Sequence, residues 1–327
     1  MLSAYFSVPL WIWLSLKVYE LSEANHMGCY GKKTFFTIGA FTIVGATSGL
    51  YFAFFGMLCV TLSALLNFIR RKYLPVLKLW IAIASLTFFS AIISVAPNIA
   101  YWLTNGFNRS VGLRSPVESD LYGLRIAQLL FPNVHHEIGA LRTLSQHYNH
   151  SLVPITEAST TAMGLISSVG FVCLVCVLFV PYEKYKRNNY YLLSRINLSF
   201  LLFATVGGFG VVFAYFITPQ FRGLNRLSIF IAFICILFLW MLIRDIDLLR
   251  RLPKISKSIF EIAVSALLAA IVIVDQVPLG AKIPTNISTN DHARSLSRFV
   301  EKIEDMSNPG DMVFMLPYVS FPEAPQK

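Results

Sequence analysis

Residues 222–244 read RGLNRLSIFIAFICILFLWMLIR, and the stretch between Arg226 and Arg244 carries no charged side chain. An α-helix rises about 1.5 Å per residue, so this run approaches the ~30 Å hydrocarbon core of a bilayer. Other apolar segments follow the same pattern, at 5–18, 34–46, 50–69, 79–96, 162–180, 196–217 and 259–274. A turn signal, GATSG at 45–49, separates the second and third of them. We therefore predict an all-α polytopic membrane protein with about eight spans, with seven and nine as alternatives.

The composition and the distribution of charge support this class. The chain has 327 residues, of which 56% are hydrophobic and 13% charged, whereas soluble domains have about a quarter charged residues. The net charge of +10 is concentrated, because segments 70–78, 184–195 and 244–257 hold four, four and five Lys/Arg. Loop 98–160 holds only four. This alternation follows the positive-inside rule, so the basicity indicates orientation in a lipid bilayer rather than a nucleic-acid partner.

The basic clusters assign a side to every connection. The connections that carry these clusters, and the one that carries Lys32 and Lys33, are predicted to lie on the cytoplasmic side. The amino terminus, the 45–49 turn, loop 98–160, the 219–226 junction and the tail after 275 are then predicted to lie outside. An outside amino terminus without a signal peptide is unusual, and the tail is too short to bury a core of its own. We therefore interpret the chain as a fragment at both ends.

The predicted domain organisation has two parts. Residues 1–277 form the transmembrane bundle, and residues 278–327 begin an incomplete α/β soluble domain. In the tail, Asp291 is predicted to cap an amphipathic helix, and MVFMLPY at 312–318 has the pattern of a strand. Loop 98–160 is too long to be a simple connection. Within it we predict an interfacial helix over 118–131 and a second short helix over 137–148.

The junction 217–226 carries two arginines on the side where that residue is least expected. Thr218 and Pro219 predict a helix start, which would place Arg222 and Arg226 one turn apart on one face. One interpretation is a clamp for a phosphate or pyrophosphate at the outer interface. The alternatives are snorkelling to lipid headgroups and pairing with an acid from loop 98–160.

Two carboxylates in the loop, Glu118 and Asp120, are candidates for a general base or for orienting a sugar hydroxyl. The alternative is that Glu118 caps its helix and Asp120 adds charge to the first turn. Tyr51 lies near the predicted outer boundary, where an aromatic belt or an aromatic ligand wall is expected. Asp275 and Gln276, at the end of the last span, are interpreted as an interface anchor.

Metal-ligating residue types are present without a metal-binding pattern. Four histidines fall within a short part of the loop, but their spacing matches no zinc motif; they are His135, His136, His147 and His150. The pair Cys173 and Cys176 has C-x-x-C spacing inside an apolar segment, which argues against metal or redox chemistry. We predict no metal site and no cofactor, and nothing in the sequence supports a divalent ion.

Several stretches in this order, YFAFFGMLCV (51–60), ESDLYGLRIAQLLFPNVHH (118–136), FRGLNRLSIFIAF (221–233) and DMVFMLPYVSFPE (311–323), resemble multi-pass proteins of the bacterial GT-C glycosyltransferase superfamily. Relatives in that superfamily are labelled surface-polysaccharide sugar translocases. The resemblance implies a GT-C-like helical bundle in the bacterial inner membrane, with the loop and tail on the periplasmic side. It also implies transfer of a sugar from a polyprenyl-phosphate donor during surface glycoconjugate synthesis.

The resemblance also implies roles for particular residues. Arg222 matches the arginine that contacts donor phosphate, Arg226 is the second match, and Asn225 between them joins the set. The predicted substrate groove comprises Tyr51, Tyr122, Arg125, His135 and His136. The catalytic acid of the first outer loop has no counterpart, because no Asp or Glu precedes Tyr5. The alternatives to transfer are a lipid-linked sugar translocase and a non-catalytic remnant.

Overall fold

The computed structural model describes residues 4–24, 31–68, 73–106, 114–151, 161–180, 189–245, 254–277, 287–308 and 311. The chain divides into two compact units, 1–279 and 280–327. Within the described residues the regular structure is helical, and the only β-type pairing there is an isolated parallel bridge between Leu124 and Thr205. The prediction of an all-α protein is confirmed.

The first unit contains twelve of the helices that the described residues form. Their bounds are α1 Ser7–Ala24, α2 Lys32–Thr47, α3 Leu50–Phe68, α4 Tyr73–Asn105, α5 Glu118–Leu121, α6 Ile126–Leu130, α7 Gly139–His150, α8 Leu165–Val177, α9 Tyr190–Ala204, α10 Phe209–Phe216, α11 Leu227–Arg244 and α12 Lys254–Gln276. Each predicted apolar segment is helical over most of its length. The predicted break at 45–49 is confirmed, with Gly49 at φ 146° between α2 and α3.

Four of these helices are long and apolar enough to cross a membrane: Leu50–Asn67, Leu74–Asn105, Leu224–Arg244 and Ser258–Gln276. Two further apolar helices, α8 and α9, are shorter. At about 1.5 Å per residue, the 13 residues of α8 extend only about 20 Å. The described residues therefore provide four full-length candidate spans, fewer than the eight predicted.

The predicted span 196–217 is wrong as a single helix. The chain leaves the helix at Ala204 and starts α10 only at Phe209. Gly207 adopts φ 70°, a left-handed conformation that glycine tolerates best. A Cβ added to Gly208 would lie 2.3 Å from the Leu202 carbonyl oxygen, so the backbone approaches itself too closely for a side chain. These two glycines turn the chain inside an otherwise apolar run.

Two other boundaries also differ from prediction. The expected helix over 118–131 is two short helices, α5 and α6, separated at Gly123 and Leu124. Leu124 instead pairs with the backbone of the α9–α10 turn, which competes with helix continuation. The span predicted at 79–96 runs from Tyr73 to Asn105 and passes through Pro97. The predicted 137–148 helix is present as α7.

The core of the first unit begins with α1 packed against α3. Trp11, fully buried, fills the space left by two glycines: a Cβ on Gly56 would lie 2.0 Å from its ring, and one on Gly45 2.8 Å. Further along, Asn67 donates a side-chain hydrogen bond to the Val18 carbonyl over 3.0 Å. At the opposite end Tyr5 contacts Phe52. The two helices therefore run in the same direction, with α2 as the return.

Large apolar side chains remain exposed on the outer helices. Few residues of α4 and none of α12 between 258 and 276 are buried within the protein. Phe88, Phe89 and Ile93 on α4, with Ile262 and Leu267 on α12, are more than half exposed. Contiguous apolar surface of this kind is typical of lipid contact, so these helices support a bilayer as the partner.

The second unit is described over helix α13, Ile287–Met306. Leu296, Phe299 and Val300 form an exposed apolar stripe on it. The strand predicted at 312–318 lies outside the described residues. Within the described part of this unit no strand accompanies the helix, so the predicted α/β domain has no support there.

Candidate functional site

Three distant segments meet at one end of the bundle: the start of α3, the α5 region and the junction 220–226. The Tyr51 hydroxyl donates to the Gln220 carbonyl oxygen over 3.0 Å. The Asn225 amide donates to the Tyr122 carbonyl oxygen over 2.9 Å. Because both bonds involve junction backbone, they fix the course of the junction between the two tyrosines.

The loop that carries Tyr122 is held by the turn between α9 and α10. Leu124 donates its amide to the Ala204 carbonyl (2.7 Å) and accepts from the Val206 amide (3.1 Å). The Asp120 carboxylate accepts the Gly207 amide over 2.6 Å. The glycine turn that interrupts the predicted span is thus the anchor of the loop.

The predicted helix start at Thr218 and Pro219 is wrong. The chain turns there, continues without regular structure, forms one 3-10 turn at Leu224–Arg226, and enters α11 at Leu227. The Thr218 hydroxyl accepts the Gln220 amide over 3.3 Å, so it caps a turn rather than a helix. Phe221 then stacks on Phe54 with ring centroids 4.2 Å apart, which favours the extended course.

Arg222 and Arg226 nevertheless open into one pocket, of about 560 Å³. Its lining is Leu50, Tyr51, Arg114, Tyr122, Gln220, Phe221, Arg222, Gly223 and Arg226. The Arg222 guanidinium lies over the Tyr122 ring at 5.0 Å, and that of Arg226 over the Tyr51 ring at 4.4 Å, measured from Cζ to the ring centroid. Such stacking holds a guanidinium plane while leaving its N–H donors available.

The two junction arginines differ in their acidic partners. Arg222 donates to Glu118, and both side chains are about four-fifths buried. The pairing with an acid of loop 98–160, one of the alternatives considered for these arginines, therefore holds for Arg222. Within the described residues no carboxylate pairs with Arg226. With Arg114, the described residues that line the pocket include three arginines and no carboxylate.

Other candidates from the sequence fall at different places. The Asn225 side chain is buried, and its Oδ1 lacks a hydrogen-bond partner among the described residues. Arg125 precedes α6 and His135 is exposed, and neither they nor His136 line this pocket. Of the predicted groove, the pocket brings together Tyr51 and Tyr122 only.

His136 belongs to a separate cluster with Asp275, 139 positions away. Its Nδ1 accepts the Ile138 amide over 3.0 Å, so Nε2 carries the proton and donates to Asp275 Oδ1 over 3.2 Å. Asp275 Oδ2 accepts the Leu165 amide over 2.8 Å at the start of α8. The sequence predicted Asp275 only as an interface anchor. Its position as an acid at the end of an apolar span was the one sign in the sequence of a buried partner. With both ring nitrogens occupied, His136 joins elements rather than acting as a base.

Comparison with known proteins adds no template for this geometry. No family model matches the chain, no curated protein matches it, and no solved structure matches it. The pocket must therefore be interpreted from its own residues.

Proposed function

We propose that this protein is a glycosyltransferase-like membrane protein that binds the phosphate of a polyprenyl-phosphate-linked sugar in the pocket of Arg114, Arg222 and Arg226. The observation that carries the proposal is the convergence of three guanidinium groups among the described lining residues of a tyrosine-walled pocket at the helix ends. Guanidinium groups bind phosphate oxygens through paired, charge-assisted hydrogen bonds. The volume falls in the usual range for small-molecule sites.

The side of the membrane follows from charge. The pocket is built from the residues after the 45–49 turn, from loop 98–160 and from the 219–226 junction. The Lys/Arg distribution assigns all three to the non-cytosolic side. Their meeting at one end of the bundle supports that assignment, and we place the site at the outer face of a bacterial inner membrane.

The proposal extends to a GT-C-like bundle of eight crossings. The crossings would be α1 to α4, α8, α9, α11 and α12, in which α8 and α9 are shorter than a bilayer core. The parallel packing of α1 and α3 supports alternate crossings. A helix must span the full hydrocarbon core only where lipid surrounds it. Where protein neighbours or water contact the chain beyond its ends, a shorter helix is sufficient, because the backbone there does not face lipid.

Such a pocket can serve glycosyl transfer. An acceptor hydroxyl attacks the anomeric carbon, the bond to the phosphate oxygen breaks, and its electron pair leaves on polyprenyl phosphate. The arginines stabilise the charge that develops on that leaving group. The hydroxyl proton goes to a base, for which Glu118 and Asp120 in the adjoining loop are the candidate carboxylates. The activated donor makes a nucleotide site unnecessary.

A lipid-linked sugar translocase is the second candidate. Both loop carboxylates already have protein partners, Glu118 with Arg222 and Asp120 with the Gly207 amide. If neither carboxylate takes the acceptor proton, the pocket would bind the phosphosugar and move it without transfer.

Turnover in membranes tests these functions. Vesicles from cells that express the full chain, and that contain native acceptors, are given a radiolabelled polyprenyl-phosphate hexose. We expect label to pass to an acid-stable glycoconjugate at several times the rate of vesicles without the protein. Label that changes leaflet without leaving the polyprenyl phosphate would replace transfer with translocation. If neither occurs, both are contradicted.

A further inference from the structure

Glu118 pairs with Arg222, the same guanidinium that the proposed phosphate ligand would bind. We infer that Glu118 is a built-in competitor for the phosphate site, which a bound phosphate displaces from Arg222, and that the displaced carboxylate then becomes available as the base. This inference rests on the proposed function and deepens it. It assigns Glu118 two states, masked when the pocket is empty and released when the donor is bound.

The contacts that a ligand would have to displace are made by the Glu118 carboxylate. One oxygen, Oε2, accepts from Arg222 Nη1, and the other, Oε1, accepts the Ser115 amide over 3.1 Å. Each oxygen therefore accepts one hydrogen bond, and a general base must also come within hydrogen-bond reach of the hydroxyl whose proton it takes. Glu118 is absent from the pocket lining, whereas Arg222 lines it. The carboxylate thus reaches the guanidinium from outside the space that a ligand would fill.

A phosphate has the means to compete for that guanidinium. The phosphodiester of the donor carries one negative charge and two non-bridging oxygens, as a carboxylate does, but it would contact Arg222, Arg226 and Arg114 together, whereas Glu118 is paired with Arg222. Arg226 needs no release, since no described carboxylate pairs with it. The first contact with Arg226 would therefore hold the phosphate beside Arg222 while Glu118 exchanges.

The loop does not depend on Glu118 for its position. Asp120 holds the Gly207 amide, Leu124 bonds the backbone on both sides of the α9–α10 turn, and the Tyr122 carbonyl accepts the Asn225 amide. Arg222 also keeps its stacking on the Tyr122 ring. Release of the carboxylate can therefore be a side-chain movement that leaves the pocket walls in place.

The consequence is an order of events in the transfer reaction. With the donor absent, the carboxylate stays paired with Arg222 outside the pocket and does not reach an acceptor there. With the donor bound, it lies beside the loaded pocket and can take the acceptor hydroxyl proton. The new C–O bond then forms as the bond to the phosphate oxygen breaks, and the phosphate leaves with the electron pair. Binding and base release would thus be coupled.

The test uses the full chain in nanodiscs with polyprenyl phosphate as the probe. We expect Glu118→Gln to bind the probe roughly 3- to 10-fold more tightly than the parent, because the competing charge is gone. Glu137→Gln is the matched control: it removes one negative charge from the same loop, outside the pocket lining. Its affinity should stay within about twofold of the parent.

Several outcomes separate the claims. If the parent does not bind polyprenyl phosphate, the proposed function fails. If the parent binds but Glu118→Gln binds equally or more weakly, this inference fails and the phosphate pocket stands. If Glu118→Gln binds more tightly and loses transfer, both states of Glu118 are supported, whereas unchanged transfer would overturn the base role. Glu118→Asp, which shortens the side chain, repeats the binding test should the glutamine variant be unstable.

Discussion

Arg226→Gln is expected to weaken binding of polyprenyl phosphate by about 10- to 100-fold, the range for loss of one or two hydrogen bonds to a charged group. Arg226 stacks on Tyr51 and has no carboxylate partner within the described residues, so its donors can turn fully to the ligand. Arg222 is shared with Glu118, and its loss should cost less. The measurement is an affinity titration in nanodiscs with polyprenyl phosphate, with neutral polyprenol as the blank ligand.

Arg244→Gln is the matched control for that variant. Arg244 ends the same helix that Arg226 precedes, and its guanidinium lies 5.1 Å over the Trp240 ring. It therefore has the same charge and the same kind of aromatic contact, at the opposite end of α11. We expect its affinity to equal that of the parent. Equal losses at both positions would indicate a general effect of charge and contradict a specific site.

The second large effect is on stability. Gly56→Ala should destabilise the protein by about 3 kcal/mol, at the upper end of the usual cost of overpacking. The added methyl would lie 2.0 Å from Trp11 Cδ2 and 2.3 Å from Cγ, atoms close to the Trp11 backbone that cannot swing away. Since α1 and α3 make the core contact there, we expect a lower thermal midpoint and aggregation in detergent.

Gly39→Ala provides the control, because it adds the same methyl to a helical glycine of α2 where the methyl would have no atom within 4 Å apart from its chain neighbours and its own helix backbone. Alanine favours helix over glycine, so this variant should be neutral or slightly more stable. Trp11→Leu combined with Gly56→Ala should recover part of the loss. Equal midpoints for Gly56→Ala and Gly39→Ala would contradict the packing of Trp11 between the helices.

Apolar runs predicted the helices well because burial in lipid or protein requires hydrogen-bonded backbone, whatever the tertiary fold. The errors came where local signals compete with contacts distant in sequence. Hydropathy cannot detect that Gly207 and Gly208 turn the chain, since their neighbours are apolar on both sides. Thr218 and Pro219 form a helix-start pattern, but no helix begins there, because the stacking of Phe221 on Phe54 favours an extended backbone.

The site was only partly visible in the sequence for the same reason. Arg222 and Arg226 were noticeable because the positive-inside rule disfavours arginine on the side to which the charge pattern assigns the junction. The sequence predicted aromatic residues near the site, but not which tyrosine contacts which arginine. The ion pair between Arg222 and Glu118 joins residues 104 positions apart. No spacing rule predicts a pair at that distance. The role of Arg114 in the lining was missed, since it is isolated in a polar segment.

The most direct test asks on which side of the membrane the arginine pocket lies and whether it binds a lipid phosphate. Gln220→Cys places a thiol on an exposed lining residue beside Arg222, and the parent chain, with its own cysteines, serves as the blank. In spheroplasts, we expect a membrane-impermeant maleimide to label Cys at 220 from outside, with labelling slowed by polyprenyl phosphate but not by polyprenol. Labelling only after permeabilisation, or no protection by polyprenyl phosphate, would contradict an outward-facing phosphate site.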